Sequence, residues 1–77
     1  MTRGEWKDIF GDNLAAILKD KGMTQNQLAK TSGVSIGMIS DYINKFTAPS
    51  IFAAINIAYA LDVDVDELVN VGDRIDD

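Results

Sequence analysis

Cysteine and histidine are both absent from this 77-residue chain. Without cysteine there is no disulfide framework and no thiolate metal site. Without histidine as well, catalysis would rest on carboxylates, hydroxyls and lysines alone. That argues against an enzyme, and no pattern in the sequence calls for a cofactor, a metal ion or a small-molecule substrate. No apolar run approaches the ~18 residues of a membrane span. The opening Met1-Thr2-Arg3-Gly4-Glu5-Trp6 lacks a secretory core. The expectation is a cytoplasmic protein with no membrane partner. The length suits one domain, residues 1–77, and the 47% hydrophobic content can fill a small core.

Positive charge is scarce too. Seven lysines and arginines face twelve acids, for a net charge of −5, which at first argues against a nucleic-acid partner. The distribution changes that reading. Residues 1–18 sum to −1 and residues 51–77 to −6, whereas residues 19–50, with Lys19, Lys21, Lys30 and Lys45 against Asp20 and Asp41, sum to +2. The acid is concentrated at one end and the middle third is mildly basic. Few phosphate contacts per subunit are expected, with a modest salt dependence.

There is no internal repeat and no low-complexity segment. The spacing of Ile9, Phe10, Leu14, Ile17 and Leu18 predicts a first helix from about Trp6 to Lys21. Gly11 inside it costs roughly 1 kcal/mol relative to alanine, which favours a later start, with Asp8 or Asp12 near the first turn. Gly22 suits the left-handed position after the helix end, behind Lys19 and Lys21. Thr24-x-x-Gln27 is a capping-box pattern opening a second helix that stops near Thr31. Ser35 caps a third helix reaching about Ile43. Asn44 to Pro49 form a loop, since the single proline bars helix through residue 48. Ser50 caps a fourth helix with Ile51, Ala54, Ile55, Ala58 and Leu61 as its buried stripe. The chain turns at Asp62, and Asp64-x-x-Glu67 opens a short last helix through Val69. The core is expected over about 6–69, with 70–77 a frayed polar tail. The fold class is all-α, with five helices.

Residues 24–43 carry the functional signal. Two short helices joined through Gly33 must cross steeply, so small or apolar residues are needed where they meet. Leu28 and Ala29 face inward, while Val34, Ile39 and Tyr42 or Ile43 anchor the third helix. That leaves Ser35, Ile36, Gly37, Ser40 and Asp41 outward. On docking into a major groove these are the side chains near base edges. Gln25, at the start of the second helix, can offer backbone and side-chain amides to a phosphate. A purely structural helix pair, or one whose Ile36 and Gly37 meet a protein, is the plainer reading of the same pattern. Asp41 reads more simply as a solvated residue near the helix end than as a cytosine reader, and Trp6 as a core plug. Tyr42 reads as a semi-buried anchor with its hydroxyl at the surface, and Phe46 suits either the core or an exposed contact. Asp62, Asp64, Asp66 and Glu67 lack the glycine and the spacing of a calcium loop, so capping and solvation explain them.

The pattern resembles the Cro/CI-type phage repressors, the XRE-like, lambda-repressor-like helix-turn-helix family. The resemblance covers residues 14–69. It is carried by Leu14, Leu18, Gly22, Thr24-Gln25, Leu28-Ala29, Gly33-Val34-Ser35, Ile39-Ser40, Tyr42-Ile43-Asn44, Pro49-Ser50, Ala58, Ala60-Leu61-Asp62-Val63 and Asp66-Glu67-Leu68. It implies a five-helix DNA-binding domain whose third helix reads the major groove, and dimers on paired half-sites. It also implies that Gln25 contacts phosphate and base edge, that Ser35, Ile36, Gly37, Ser40 and Asp41 occupy the reading positions, and that Asn44 and Lys45 lie in a backbone-contacting loop. The family commonly has glycine where this chain has Lys45, and longer polar groups where it has Ile36 and Gly37. Readout would then lean on the thymine methyl, on hydroxyls and on DNA shape.

The expectation is therefore a sequence-specific transcriptional regulator, a repressor of phage, prophage or mobile-element type. Its partners would be a double-stranded DNA operator and a second copy of the chain. The candidate dimer surface is the exposed part of the fourth helix, the last helix, and Val69, Val71 and Ile75. The alternative is a protein-interaction module, such as an antitoxin or anti-regulator.

Overall fold

The computed structural model describes residues 1–70, which form five helices and, among those residues, no strand. Helix α1 spans Arg3–Lys21, α2 Gln25–Ser32, α3 Ile36–Ile43, α4 Ile51–Leu61 and α5 Val65–Val69. The all-α expectation holds. Val71 and Ile75 lie outside the described residues.

Local chemistry explains the boundaries. Helix α1 starts three residues before the predicted position, because Thr2 and Glu5 form a capping box. The Thr2 hydroxyl accepts from the Glu5 amide at 3.1 Å, and the Glu5 carboxylate accepts from the Thr2 amide at 3.0 Å. The Thr2 backbone amide, with the Thr2 side chain as the lesser cause, holds the Glu5 carboxyl below its ordinary range. Thr24 and Gln27 make the same pair of bonds, at 2.8 and 3.1 Å, to open α2. Ser35 and Ser50 accept from the amides of Met38 and Ala53 to open α3 and α4. At α5 the Glu67 carboxylate accepts from the Asp64 amide at 3.1 Å.

Three helices end in the same way. Past α1 the Met23 amide donates to the Leu18 carbonyl at 3.0 Å and Gly22 to Lys19 at 3.2 Å. Past α3, Phe46 donates to Asp41 at 2.9 Å and Lys45 to Tyr42 at 3.1 Å. Past α4, Val63 donates to Ala58 and Asp62 to Tyr59. The pivots Gly22, Lys45 and Asp62 have φ of 64°, 64° and 56°. This is the closure that normally takes glycine, and two of the three pivots here are not glycine.

The core lies between the helices. Phe10 and Leu14 of α1, Leu28 of α2, Ile39 of α3, Ile57 of α4 and Leu68 of α5 are all fully buried. Trp6 meets Phe10 edge-on at 5.4 Å, packing against the core from its margin. Helix α5 packs on α1. There the Asn13 side-chain amide donates to the carbonyls of Leu68 and Asn70, both at 2.9 Å.

Two expectations need correction. The buried stripe of α4 is Ala53, Ala54, Ile57, Ala58 and Leu61, whereas Ile51 is 72% exposed and Ile55 49%. The sequence IFAAINIAYAL has no charged residue, so its periodicity does not fix which side faces inward. Packing against α2 and α5 does. Gly11 does not delay the start of α1. It is buried mid-helix, where an added Cβ would stand 2.5 Å from the Tyr42 carbonyl oxygen.

Candidate nucleic-acid interface

Helix α3 is eight residues long and held from behind. Ile39 is fully buried and Tyr42 is 2% exposed, its ring edge-on to Phe10 at 5.7 Å. Burial, with the charge of neighbouring Asp41 as the lesser cause, pushes the Tyr42 hydroxyl above its ordinary range. Tyr42 is thus a deeper anchor than expected. Val34 and Ile43 are partly buried against the same core. Helix α2 ends at Gly33, whose φ is 75°, and the Val34 amide donates to the Ser32 hydroxyl at 3.1 Å in the turn to α3.

The opposite side of α3 is open. Ser35, Ile36 and Gly37 are exposed, and Ser40 and Asp41 are half-buried. Gln25, at the start of α2, is exposed, as are Asn44 and Lys45 in the loop after α3. The Asn44 side-chain amide donates to the Ser40 hydroxyl at 3.3 Å, which links one predicted reading position to one predicted holding position. The Ser35 hydroxyl accepts from the Met38 amide, so it has its proton left to donate outward.

Sequence reasoning missed Met38, as exposed as Ile36 at 42%. An eight-residue helix seated mainly on Ile39 and Tyr42 leaves its flank uncovered as well as its outer face. Phe46, for which the sequence left two readings, is 73% exposed. The surface of α3 is therefore chiefly apolar and hydroxylic, and Asp41 is the sole charged residue within the helix.

Lys45 is not a free cation. Its ammonium lies 2.6 Å from the Asp12 carboxylate of α1, with both side chains about 40% exposed. The loop keeps the left-handed path that glycine would take, and the lysine side chain is laid back on α1.

A short capped helix, a glycine turn and a second helix seated on a core with its far side open define a helix-turn-helix. The family described as helix-turn-helix matches residues 14–68, and the chain belongs to it, as an XRE-like protein of Cro/CI type. This is a family and fold of DNA-binding transcriptional regulators rather than of enzymes. Among solved structures, the restriction-modification controller protein C.AhdI from Aeromonas hydrophila is similar. It is 28% identical with a TM-score of 0.75, over 78% of this chain and 91% of that one. Among curated proteins none matches. Among the described residues, no helix is long and apolar enough to cross a membrane.

Proposed function

We propose that this protein is a sequence-specific regulator that binds a double-stranded operator as a homodimer, with α3 in the major groove. The observation that carries this reading is the two-sidedness of α3. Ile39 and Tyr42 fix it from within, while Ser35, Ile36 and Gly37 stand open to solvent. Ser35, Ile36, Gly37, Ser40 and Asp41 then lie at base edges, with Ile36 suited to a thymine methyl. Gln25 and the first amides of α2 take a phosphate, and Asn44 and Lys45 flank the backbone at the other end of α3. Blocking a promoter is the mode of action, in a repressor of phage, prophage or mobile-element type. The likeness to a controller of a restriction-modification system supports a small regulator of a self-contained genetic unit.

The dimer is argued from charge and area. One domain of net charge −5 offers DNA few cations, and two domains double the contact area and add their discrimination free energies. Helix α4 supplies an uncharged meeting surface, with Ile51, Phe52, Ile55 and Tyr59 exposed along it. Next to it a groove of about 300 Å³ runs between Ile55, Tyr59, Val63 and Val65. A helix apolar on every side is normally covered on every side. Paired recognition helices would enter successive major grooves about 34 Å apart.

The same exposed face of α4 favours the second reading, a module that binds another protein. Selection of bound duplex from a random pool, followed by gel shifts across salt concentrations, separates the two. Enrichment of an inverted repeat supports the regulator. Failure to bind any duplex at low salt, with a protein partner copurifying, supports the module.

A further inference from the structure

Lys45 costs the fold something where it stands. It pivots the chain at φ 64°, a conformation disfavoured for a side chain with a Cβ. Two consecutive residues of α1 form its seat. Gly11 presents no side chain, and the Lys45 Cγ lies 3.0 Å from where a Gly11 Cβ would stand. Asp12, the next residue, takes the ammonium at 2.6 Å. The lysine therefore leaves the end of α3, crosses α1 over Gly11 and meets a carboxylate, although it belongs to the loop that flanks the DNA-facing helix. A carboxylate oxygen and a phosphate oxygen are equivalent acceptors for an ammonium. Exposed ion pairs of this kind are weak, so a polyanion can replace one partner.

Resting on the DNA-binding reading above, we propose that Asp12 is an affinity-setting residue, a built-in carboxylate that competes with backbone phosphate for the Lys45 ammonium. In the free protein the backbone bonds after α3 hold the loop in its left-handed path, and the ion pair occupies the ammonium. On docking, Lys45 leaves Asp12 for a phosphate. Asp12 thereby lowers affinity for arbitrary DNA, and a bound site must hold Lys45 in place to overcome it.

The test is a double-mutant cycle with Asp12→Asn and Lys45→Ala, measuring affinity for a random-sequence duplex across salt concentrations. Asp12→Asn should raise affinity about two- to five-fold, the range set by an exposed ion pair. That gain should vanish when Lys45→Ala is also present. A gain that persists without Lys45 overturns the proposal in favour of plain repulsion between Asp12 and DNA, and so does the absence of any gain in a folded variant. Carbon-13 resonances of the unaltered protein give a reading that no variant can spoil. Adding duplex should move the Asp12 carboxyl resonance toward its position in Lys45→Ala. An unmoved resonance, while the amides of α3 shift, overturns the proposal and leaves DNA binding standing. If the unaltered protein binds no duplex at low salt, DNA binding itself fails.

Discussion

The carbonyl oxygen of Tyr42 lies 2.5 Å from the point where a Cβ on Gly11 would stand. Helix α3 thus rests directly on the backbone of α1, and its angle to the rest of the protein depends on one missing side chain. Gly11→Ala forces the two helices apart. The gain in helix propensity of roughly 1 kcal/mol is outweighed by overpacking against rigid backbone, which costs about 1–3 kcal/mol. Thermal denaturation should show a net loss of stability, and operator affinity should fall at temperatures where the variant is still folded. An unchanged melting temperature would mean the contact has slack.

Asn13 fastens the end of α5 to α1 by two side-chain bonds of 2.9 Å. Asn13→Ala leaves the carbonyls of Leu68 and Asn70 without that donor, at about 0.5–1.5 kcal/mol per bond. Chemical denaturation should report the loss. Hydrogen exchange should place the loosening in α5 rather than in α3.

Ser40 and Gln25 should separate reading from holding. Ser40→Ala removes a hydroxyl from the side of α3 proposed to face the groove and frees the Asn44 side-chain amide that donates to it. It should alter which sequences are selected from a random pool and leave affinity for arbitrary DNA almost unchanged. Gln25→Ala should weaken binding to every sequence through its phosphate contact, with a smaller change in which sequences are selected. Identical behaviour of the two variants would refute the division of roles.

On α4, Tyr59 is 87% exposed, so a lysine there meets only water in the monomer. Tyr59→Lys should keep the helical content and the monomer's fold. If the proposed dimer forms through α4, sedimentation should show it dissociating, because two like charges would be brought together at a two-fold interface. Dimers that persist would move the interface elsewhere.

Alkaline stability should depend on Tyr42. Burial raises its folded-state pKa above the ordinary 10.0, so the folded protein holds the phenolic proton more tightly than the unfolded chain does. The associated stability is complete below about pH 10 and is lost as pH rises through the folded value. Denaturation midpoints should fall across that interval. Tyr42→Phe should fall less steeply, and equal slopes for the two proteins would rule the residue out.

Much of the fold was legible because its signals are local. Thr24-x-x-Gln27, Gly33, Ser35 and Ser50 each act on amides or carbonyls within a few residues, so α2, α3 and the start of α4 could be placed from sequence alone. Thr2-x-x-Glu5 carries the same local signal for α1, ahead of the first apolar residue of its stripe. The outward set on α3 followed from the phase that Ile39 and Tyr42 impose.

Sequence by itself determined the order of the helices, where most of them begin and end, and which side of α3 is free, because capping and periodicity are short-range. Only the tertiary structure decided which side of the uncharged α4 is covered, why a glycine sits inside α1, and where the Lys45 ammonium goes. Those outcomes depend on contacts between residues such as Gly11 and Tyr42, or Asp12 and Lys45. Chain spacing does not bring such pairs together; the packing of one helix on another does.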